Sequence, residues 1–257
     1  MRDLTISLLQ RELAWEDAAA NRRVFQQDLA QLAGKTDLVI LPEMFTTGFS
    51  MRAEIIAENE AQATLPWMIE QARAHDFAIT GSLAVRSGEG IYNRLLFVTP
   101  DGEVSHYDKR HLFRLSGEHR HYRAGTERQR VSWRDWRICP LICYDLRFPV
   151  WSRNAGDYDL LIFVANWPAK RRLHWRQLLI ARAIENQSYC VGVNRVGSDG
   201  NRIDYCGDSL VLAADGKMLL DCEAEAGAFT VSLDATAMNE YRRKFPCHED
   251  ADNFKLT

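Results

Sequence analysis

The chain contains 257 residues, of which 46% are hydrophobic and 26% are charged, and it carries a formal net charge of −3. This is the composition of an ordinary globular protein, and its slightly acidic balance gives no reason to expect nucleic acid or an anionic membrane as a partner. No apolar run approaches the roughly 20 residues of a membrane-spanning helix, and the apolar run near the N-terminus is too short for a signal peptide.

Short apolar strands alternate with amphipathic helices in the first part of the chain. Apolar runs predict strands at 4–10, 37–43 and 77–83, and apolar residues at helical spacing predict helices at 15–32 and about 60–75. The strand at 37–43 ends on an acid, Glu43.

The second part of the chain adds two hairpins. Asp101-Gly102 and Asp215-Gly216 each lie between apolar flanks, which predicts tight turns because such turns require a positive φ. The later elements are predicted as strands at 159–167 and 189–197 and as a helix at 171–187. This mixture of βα units and hairpins predicts an α/β fold in which helices cover a mixed sheet system.

The chain shows no linker, no low-complexity segment and no strong internal repeat. We therefore expect a single domain over residues 1–257, although this length also allows two small domains. The six cysteines are dispersed, with no CxxC pair among them. Such spacing is typical of reduced thiols rather than of a disulfide framework, and it predicts a cytoplasmic protein.

Three of the predicted strands lead into chemically active side chains: Glu43 after "LVILP", Lys109 after "EVSHYD" and Cys143 after "RICPLI". In open α/β sheets, ligands bind beyond the carboxyl ends of the strands. Each residue also has an ordinary explanation, namely an exposed acid at a strand end, a solvated lysine and a small buried cysteine.

Together, the three side chains supply what a thiol hydrolase without a catalytic histidine needs. A free thiol has a pKa near 8.5 and is mostly protonated at neutral pH. A carboxylate can accept its proton and later return it to a leaving amine. An ammonium can stabilise the oxyanion together with a backbone N–H just past the nucleophile, here that of Tyr144. Pro149 suits the first turn of a helix, so this N–H is expected in a turn that faces the thiol.

The motifs around these residues resemble the nitrilase superfamily of carbon–nitrogen hydrolases. They are "LPEMF" (41–45), "YDKRHLF" (107–113) and "ICYDLRFP" (142–149), and further matching segments extend over nearly the whole chain. The resemblance implies a four-layer αββα sandwich with two mixed sheets flanked by helices. It also implies that these proteins pair as homodimers, with the helix at 171–187 and the C-terminal segment as the candidate contacts.

The same resemblance assigns the catalytic roles. It implies that Glu43 is the general base, Lys109 the oxyanion stabiliser and Cys143 the nucleophile. Members of the family often use a second glutamate in the loop after the lysine, and Glu118 is the candidate here.

The segments "CYDLRFP" (143–149) and "RAIENQ" (182–187) resemble the omega-amidase branch of this superfamily. Its members hydrolyse the terminal amide of short dicarboxylate monoamides, such as 2-oxoglutaramate and 2-oxosuccinamate, and contribute to methionine salvage. The alternatives are another hydrolase of the superfamily (an aliphatic amidase, a carbamoylase or a nitrilase) and, more remotely, a non-enzymatic sensor with a reactive thiol.

An omega-amidase must hold the distal carboxylate of its substrate, and arginine is well suited because its planar fork binds carboxylate bidentately. Arg147 is the first candidate, with an internal ion pair to Asp145 or Glu185 as the alternative. The expected wall of the pocket, together with the backbone of Tyr144, consists of three aromatic residues that could equally be core packing: Phe45, Tyr92 and Trp167.

No motif indicates a metal or a cofactor. The histidines His119, His121 and His174 do not have the spacing of a zinc site, and neither GxGxxG nor GxxxxGK[ST] occurs. The basic run at 170–172 predicts either a solvated helix start or a rim that attracts anionic substrates.

Overall fold

A computed structural model of the protein describes residues 1–252. Its strands are β1 (Leu4–Gln10), β2 (Leu38–Ile40), β3 (Glu58–Asn59), β4 (Ala78–Ser87), β5 (Gly90–Val98), β6 (Val104–Asp108), β7 (Val131–Trp133), β8 (Trp136–Ile142), β9 (Leu160–Val164), β10 (Tyr189–Val193), β11 (Val196–Ser198), β12 (Asp204–Cys206), β13 (Leu210–Leu212), β14 (Met218–Asp221) and β15 (Gly227–Leu233). Its helices are α1 (Ala18–Leu32), α2 (Ala53–Ile56), α3 (Thr64–His75), α4 (Pro149–Ser152), α5 (Arg172–Asn186) and α6 (Ala235–Lys244).

The three long helices predicted from the sequence are confirmed, and each begins one to four residues later than predicted. Helix α1 begins at Ala18 rather than at residue 15 because the carboxylate of Asp17 accepts a hydrogen bond from the Ala20 N–H and caps the helix. Helix α3 begins at Thr64 rather than at about residue 60 because Glu60 and Ala61 have positive φ angles of 45° and 53°, which a right-handed helix does not contain.

Two mixed sheets carry the fold. One has the strand order β15-β1-β2-β4-β5-β6, with β3 beside β4, and the other has the order β14-β13-β10-β9-β8-β7. The inner strands β1, β2 and β4 are parallel, as are β8, β9 and β10. The hairpins predicted at Asp101-Gly102 and Asp215-Gly216 are confirmed, since they join β5 to β6 and β13 to β14.

Alternate residues of the strands pack in different layers, as the pleat of a strand requires. Leu38 and Ile40 of β2 belong to the core between the two sheets, whereas Val39 packs against α1 and α3 on the outer face. On the other side, Trp175 and Leu179 of α5 cover the second sheet. These contacts define the four-layer αββα sandwich, which confirms the predicted fold class.

The strand directions bring three strand ends to one edge of the sandwich. Strand β6 runs antiparallel to β5, and β5 runs antiparallel to β4, so β6 has the direction of β2. Glu43 follows β2, Lys109 directly follows β6, and Cys143 directly follows β8 of the other sheet. The functional site is therefore to be sought where these carboxyl ends meet.

Candidate active site

A buried ammonium between two buried carboxylates lies at this edge. Lys109 Nζ is 2.8 Å from Glu43 Oε1, and it is 3.0 and 3.1 Å from the two carboxylate oxygens of Glu118. All three side chains are fully buried. A buried charge is tolerated only with such close partners, so the fold maintains this cluster at a cost in desolvation.

Backbone and amide donors hold the two carboxylates in place. Asn93 Nδ2 donates to Glu43 Oε1 at 2.8 Å and, more weakly, to Glu118 Oε1 at 3.4 Å. The Asn166 N–H donates to Glu43 Oε2 at 2.8 Å, and the Phe113 N–H donates to Glu118 Oε2 at 2.5 Å. Asn93 lies on β5, whereas Asn166 and Phe113 lie in the segments that follow β9 and β6. The carboxylates are therefore held from three different parts of the chain.

The charges of the cluster determine its protonation. Burial alone would lower the pKa of Lys109, but attraction to Glu118 and Glu43 outweighs it, and the pKa is raised. Burial raises the pKa of Glu118, against the attraction of Lys109, and the charge of Glu43 raises it further. Burial and the charge and hydrogen bonding of Glu43 raise the pKa of the Cys143 thiol well above its usual value. The resting thiol is therefore protonated at neutral pH, beside a group that can accept its proton.

A strained turn presents Cys143. Its φ is 45°, in the left-handed region that non-glycine residues rarely adopt, and it opens the 3-10 turn Cys143–Arg147. The buried carboxylate of Asp145 fixes the turn, since it accepts hydrogen bonds from the Ile142 N–H at 3.1 Å and from the Tyr107 hydroxyl at 2.7 Å. Arg182 of α5 adds a bond to the Leu146 carbonyl at 2.6 Å. These contacts thus stabilise the left-handed backbone conformation of Cys143, which is unfavourable for an isolated residue.

A pocket opens onto Cys143 and Lys109. The rest of its lining consists of five aromatic residues, two arginines and four other residues: Phe49, Phe113, Tyr144, Trp167 and Tyr205; Arg147 and Arg171; and Ser116, Asn166, Pro168 and Ile203. Such a pocket, with a few charged groups converging on a protected thiol, has the features of a small-molecule site.

The structure brings some of the predicted pocket residues together and not others. Tyr144, Arg147 and Trp167 line the pocket. Phe45 does not, because its ring packs against Phe25 and Trp67 in the core between the first sheet and its helices. The sequence-based assignment of Phe45 to the pocket is therefore corrected to core packing.

Tyr92 also lies outside the pocket, and its assignment is corrected in the same way. It lines a separate surface hollow with His106 and Gly125, and the guanidinium of Arg94 lies 5.4 Å from its ring centroid. Adjacent residues of a strand point to opposite faces. Because Asn93 of β5 faces the carboxylates, its neighbour Tyr92 faces away from them.

Two arginines of the pocket wall lie over aromatic rings. The guanidinium of Arg147 is 4.7 Å from the centroid of Trp167, and that of Arg171 is 5.5 Å from the centroid of Phe113. Burial lowers the pKa of Arg147. Its Nη2 is 3.1 Å from His174 Nδ1.

The acids considered as alternative partners of Arg147 bind other groups. Asp145 accepts from the neighbouring backbone and from Tyr107, and Glu185 pairs with Arg182 at 2.9 Å. Of the basic run at 170–172, only Arg171 reaches the pocket. Arg172 is paired with Asp208 instead.

Sequence reasoning missed Asn93 and Asn166, and it considered Asp145 only as an ion-pair partner of Arg147. Asp145 had a signal, since it lies two residues after Cys143 in a turn that needs its N-terminal N–H groups bonded. Asn93 lies in the middle of a strand, and nothing in its local sequence distinguishes it from an ordinary turn or surface amide.

Neither a metal cluster nor a spanning helix is found in the part of the chain that the structure describes. Residues 1–252 hold no group of three or more His, Cys, Asp or Glu side chains arranged to bind a metal ion. Within the same residues, no helix is both long enough and apolar enough to cross a membrane.

Comparison with known proteins identifies the family of the chain. A sequence model of the carbon–nitrogen hydrolase family matches residues 5–243. The chain is 52% identical to the omega-amidase YafV of Escherichia coli K12, with all of both chains covered, and 32% identical to the 2-oxoglutaramate amidase of Bacillus subtilis, with 96% of each covered. The crystal structure of XC1258 from Xanthomonas campestris, described as a CN-hydrolase superfamily protein with an arsenic adduct in the active site, superimposes with a TM-score of 0.98 at 48% identity over the whole of both chains.

The chain therefore belongs to the carbon–nitrogen hydrolase family, and it is an enzyme that hydrolyses amides. It lies within the omega-amidase branch of the nitrilase superfamily that its motifs indicated.

Proposed function

We propose that the protein is an omega-amidase, which hydrolyses the terminal amide of short dicarboxylate monoamides such as 2-oxoglutaramate and 2-oxosuccinamate. The observation that carries the proposal is the pocket itself, whose lining includes two arginines, Arg147 and Arg171, as well as Cys143 and Lys109. A substrate with an amide at one end and a carboxylate at the other matches this combination of a nucleophile and cationic groups. The names of the E. coli and B. subtilis relatives support the same substrate class.

In the proposed reaction, Glu43 accepts the thiol proton of Cys143 as the sulfur attacks the amide carbon. The negative charge that develops on the carbonyl oxygen is stabilised by Lys109 Nζ and by the Tyr144 N–H. Glu43 then gives its proton to the nitrogen, the C–N bond breaks, and ammonia leaves behind a thioester. Because burial and the neighbouring Glu43 raise the pKa of the thiol, the sulfur depends on Glu43 to accept its proton for the attack.

Water completes the cycle. Glu43 removes a proton from a water molecule that attacks the thioester carbon, and Lys109 again faces the oxyanion. Collapse of the intermediate breaks the C–S bond and returns the proton to Cys143, which releases the dicarboxylate. Glu118, bonded to Lys109 through both carboxylate oxygens, holds the ammonium in position through both half-reactions.

A panel of substrates tests this assignment. We expect ammonia release from 2-oxoglutaramate and succinamate with kcat/KM at least about 100-fold above that for butyramide, which lacks the distal carboxylate, because hydrogen bonds to charged groups are the stronger ones. N-carbamoyl amino acids and simple nitriles serve as the alternatives within the superfamily. A preference for one of these would assign the protein to another activity.

The distal carboxylate is proposed to bind Arg147, with Arg171 nearby. We expect Arg147→Met to raise KM for succinamate by about 10- to 100-fold, because a charge-assisted bond to the carboxylate is lost. The KM for butyramide should stay nearly unchanged, and steady-state kinetics of both substrates measure the difference.

Lys170→Met is the matched control, because it removes one positive charge beside the pocket from a side chain that does not line it. It should leave both KM values close to those of the wild type. An equal rise in KM for succinamate and butyramide in the Arg147 variant would contradict carboxylate binding by this residue.

We further propose that the protein is a single-domain homodimer of the reducing cytoplasm with a role in methionine salvage. Support for pairing through α5 comes from two exposed apolar residues on one face of that helix, Leu173 and Ile184, which are 68% and 47% exposed and three helical turns apart. The C-terminal segment was the other candidate contact, and its last residues, 253–257, lie outside the described part of the chain.

A further inference from the structure

Asn166 is bound to Glu43 through two donors. It lies just beyond β9, where its backbone N–H donates to Glu43 Oε2 at 2.8 Å and its side-chain Nδ2 donates to the Glu43 carbonyl at 2.5 Å. The second contact fixes the orientation of the amide group. If the amide were flipped, two oxygen acceptors would face each other, so the atom that faces the carbonyl is the NH2 group.

This orientation leaves the oxygen of the Asn166 amide without a partner. Oδ1 is buried and accepts no hydrogen bond from the residues that the structure describes, and the residue as a whole is only 3% exposed. Buried polar atoms are almost always satisfied, and the exceptions call for an explanation. Asn166 lies in the wall of the pocket, together with Cys143 and Lys109, so a bound substrate is the group that can supply the missing donor.

Because Oδ1 of Asn166 is an acceptor, the group that binds it must be a hydrogen-bond donor. The ammonium of Lys109 is already bonded to both carboxylates, and a carboxamide oxygen can only accept. A primary amide brings two N–H donors to the reacting carbon, whereas an ester of the same acid brings none. We infer that Oδ1 of Asn166 accepts an N–H of the scissile amide, which makes Asn166 a specificity-determining residue that distinguishes amides from esters.

This role rests on the proposed amidase reaction and adds one feature to it. The same residue that orients the Glu43 carboxylate through its backbone N–H also orients the nitrogen that Glu43 protonates. Asn166 would then align both the proton donor, Glu43, through its backbone N–H and the leaving amide nitrogen through its side chain. An ester would leave Oδ1 buried and unpaired, which disfavours it in the wild-type site.

The test compares an amide and an ester of one acid, succinamate and monomethyl succinate, in the wild type and in Asn166→Ala and Asn166→Leu. Both substitutions lose the acceptor, and thermal unfolding identifies any variant that does not fold. Both also lose the bond to the Glu43 main-chain carbonyl, but they keep the Asn166 backbone N–H that orients the Glu43 carboxylate. We expect the ratio of kcat/KM for the amide to kcat/KM for the ester to fall by about 10- to 100-fold.

Asn194→Ala is the matched control. Asn194 is a buried asparagine that holds the same loop from another side, by accepting from the Trp167 N–H at 2.8 Å and donating to the Trp167 carbonyl at 3.1 Å, and it does not line the pocket. Its loss should lower both activities by one common factor and keep the ratio.

The two proposals fail in different ways in this experiment. A wild-type protein that hydrolyses monomethyl succinate but not succinamate would overturn the proposed amidase function together with the role of Asn166. A wild-type protein that hydrolyses succinamate, with Asn166 variants whose amide-to-ester ratio equals that of Asn194→Ala, would overturn the inference about Asn166 alone.

Discussion

Replacing Cys143 with alanine is expected to lower the rate of ammonia release from succinamate by about 10⁴-fold or more, because it removes the sulfur that forms the covalent intermediate. Cys143→Ser should be nearly as inactive. A serine hydroxyl is far less acidic than a thiol, and the site that raises the pKa of the thiol by burial would disfavour the alkoxide more strongly. An ammonia assay over a wide range of enzyme concentration measures both variants.

Cys139→Ala is the control for this experiment. Cys139 lies in the same strand, β8, and is fully buried in the core between the sheets. Its truncation should lower the free energy of unfolding while turnover persists. Hydroxylamine adds a direct probe, since it should divert the thioester of the wild type to a hydroxamate and yield none with Cys143→Ala. Wild-type turnover by the alanine variant would contradict the thioester route.

The catalytic candidates were predictable because each follows a strand and carries a reactive group. The strand ends and the motifs around them were enough to single out Glu43, Lys109 and Cys143, and the directions of β2, β6 and β8 then bring these residues to one edge of the sandwich. Glu118 was harder, because it lies in a loop whose path cannot be derived from local pattern. Its contact with Lys109 depends on the turn that brings the Phe113 N–H onto its carboxylate.

The two aromatic residues that were misplaced fail for one geometric reason. Proximity in sequence to an active side chain does not specify a direction, and both Phe45 and Tyr92 lie next to the site with their rings turned elsewhere. Met44, between Glu43 and Phe45, has a φ of 45°, and the Phe45 N–H bonds to the Ser82 carbonyl of β4, so the chain turns after the glutamate and directs the ring into the outer core.

The amides were missed for a different reason. Asn93 and Asn166 have no reactive group of their own, and their importance comes from the atoms they face across the gap between strands. Such roles depend on contacts between β2, β5 and β9, and no local pattern in a single sequence encodes those contacts.

Removing the ammonium of Lys109 should affect stability as well as activity. Lys109→Met leaves Glu43 and Glu118 buried beside each other without a counter-charge, and breaking a buried ion pair in this way costs about 3–5 kcal/mol of unfolding free energy. The loss of the oxyanion stabiliser should also lower kcat by at least about 10²-fold. Thermal and urea unfolding, followed as a function of pH, measure the first effect.

The pH dependence of this variant has a definite sign. The pKa of Glu118 is raised even beside Lys109, because burial and the charge of Glu43 outweigh the attraction of the ammonium, and without that ammonium it rises further. The folded variant then binds more protons than the unfolded chain, in which a glutamate titrates near pH 4.3. Its stability is highest below that pH and falls as the pH rises through the folded-state pKa, so the variant should lose more stability than the wild type between pH 5 and pH 8.

The double variant Lys109→Met/Glu118→Gln separates charge from packing. It removes one carboxylate together with the ammonium, so it should recover much of the lost stability and lose the added pH dependence, yet remain as inactive as the single variant because the oxyanion still lacks its cation. A single variant with the wild-type unfolding midpoint at pH 8, or a double variant with no recovery, would show that the buried cluster is not held together by the charge of Lys109.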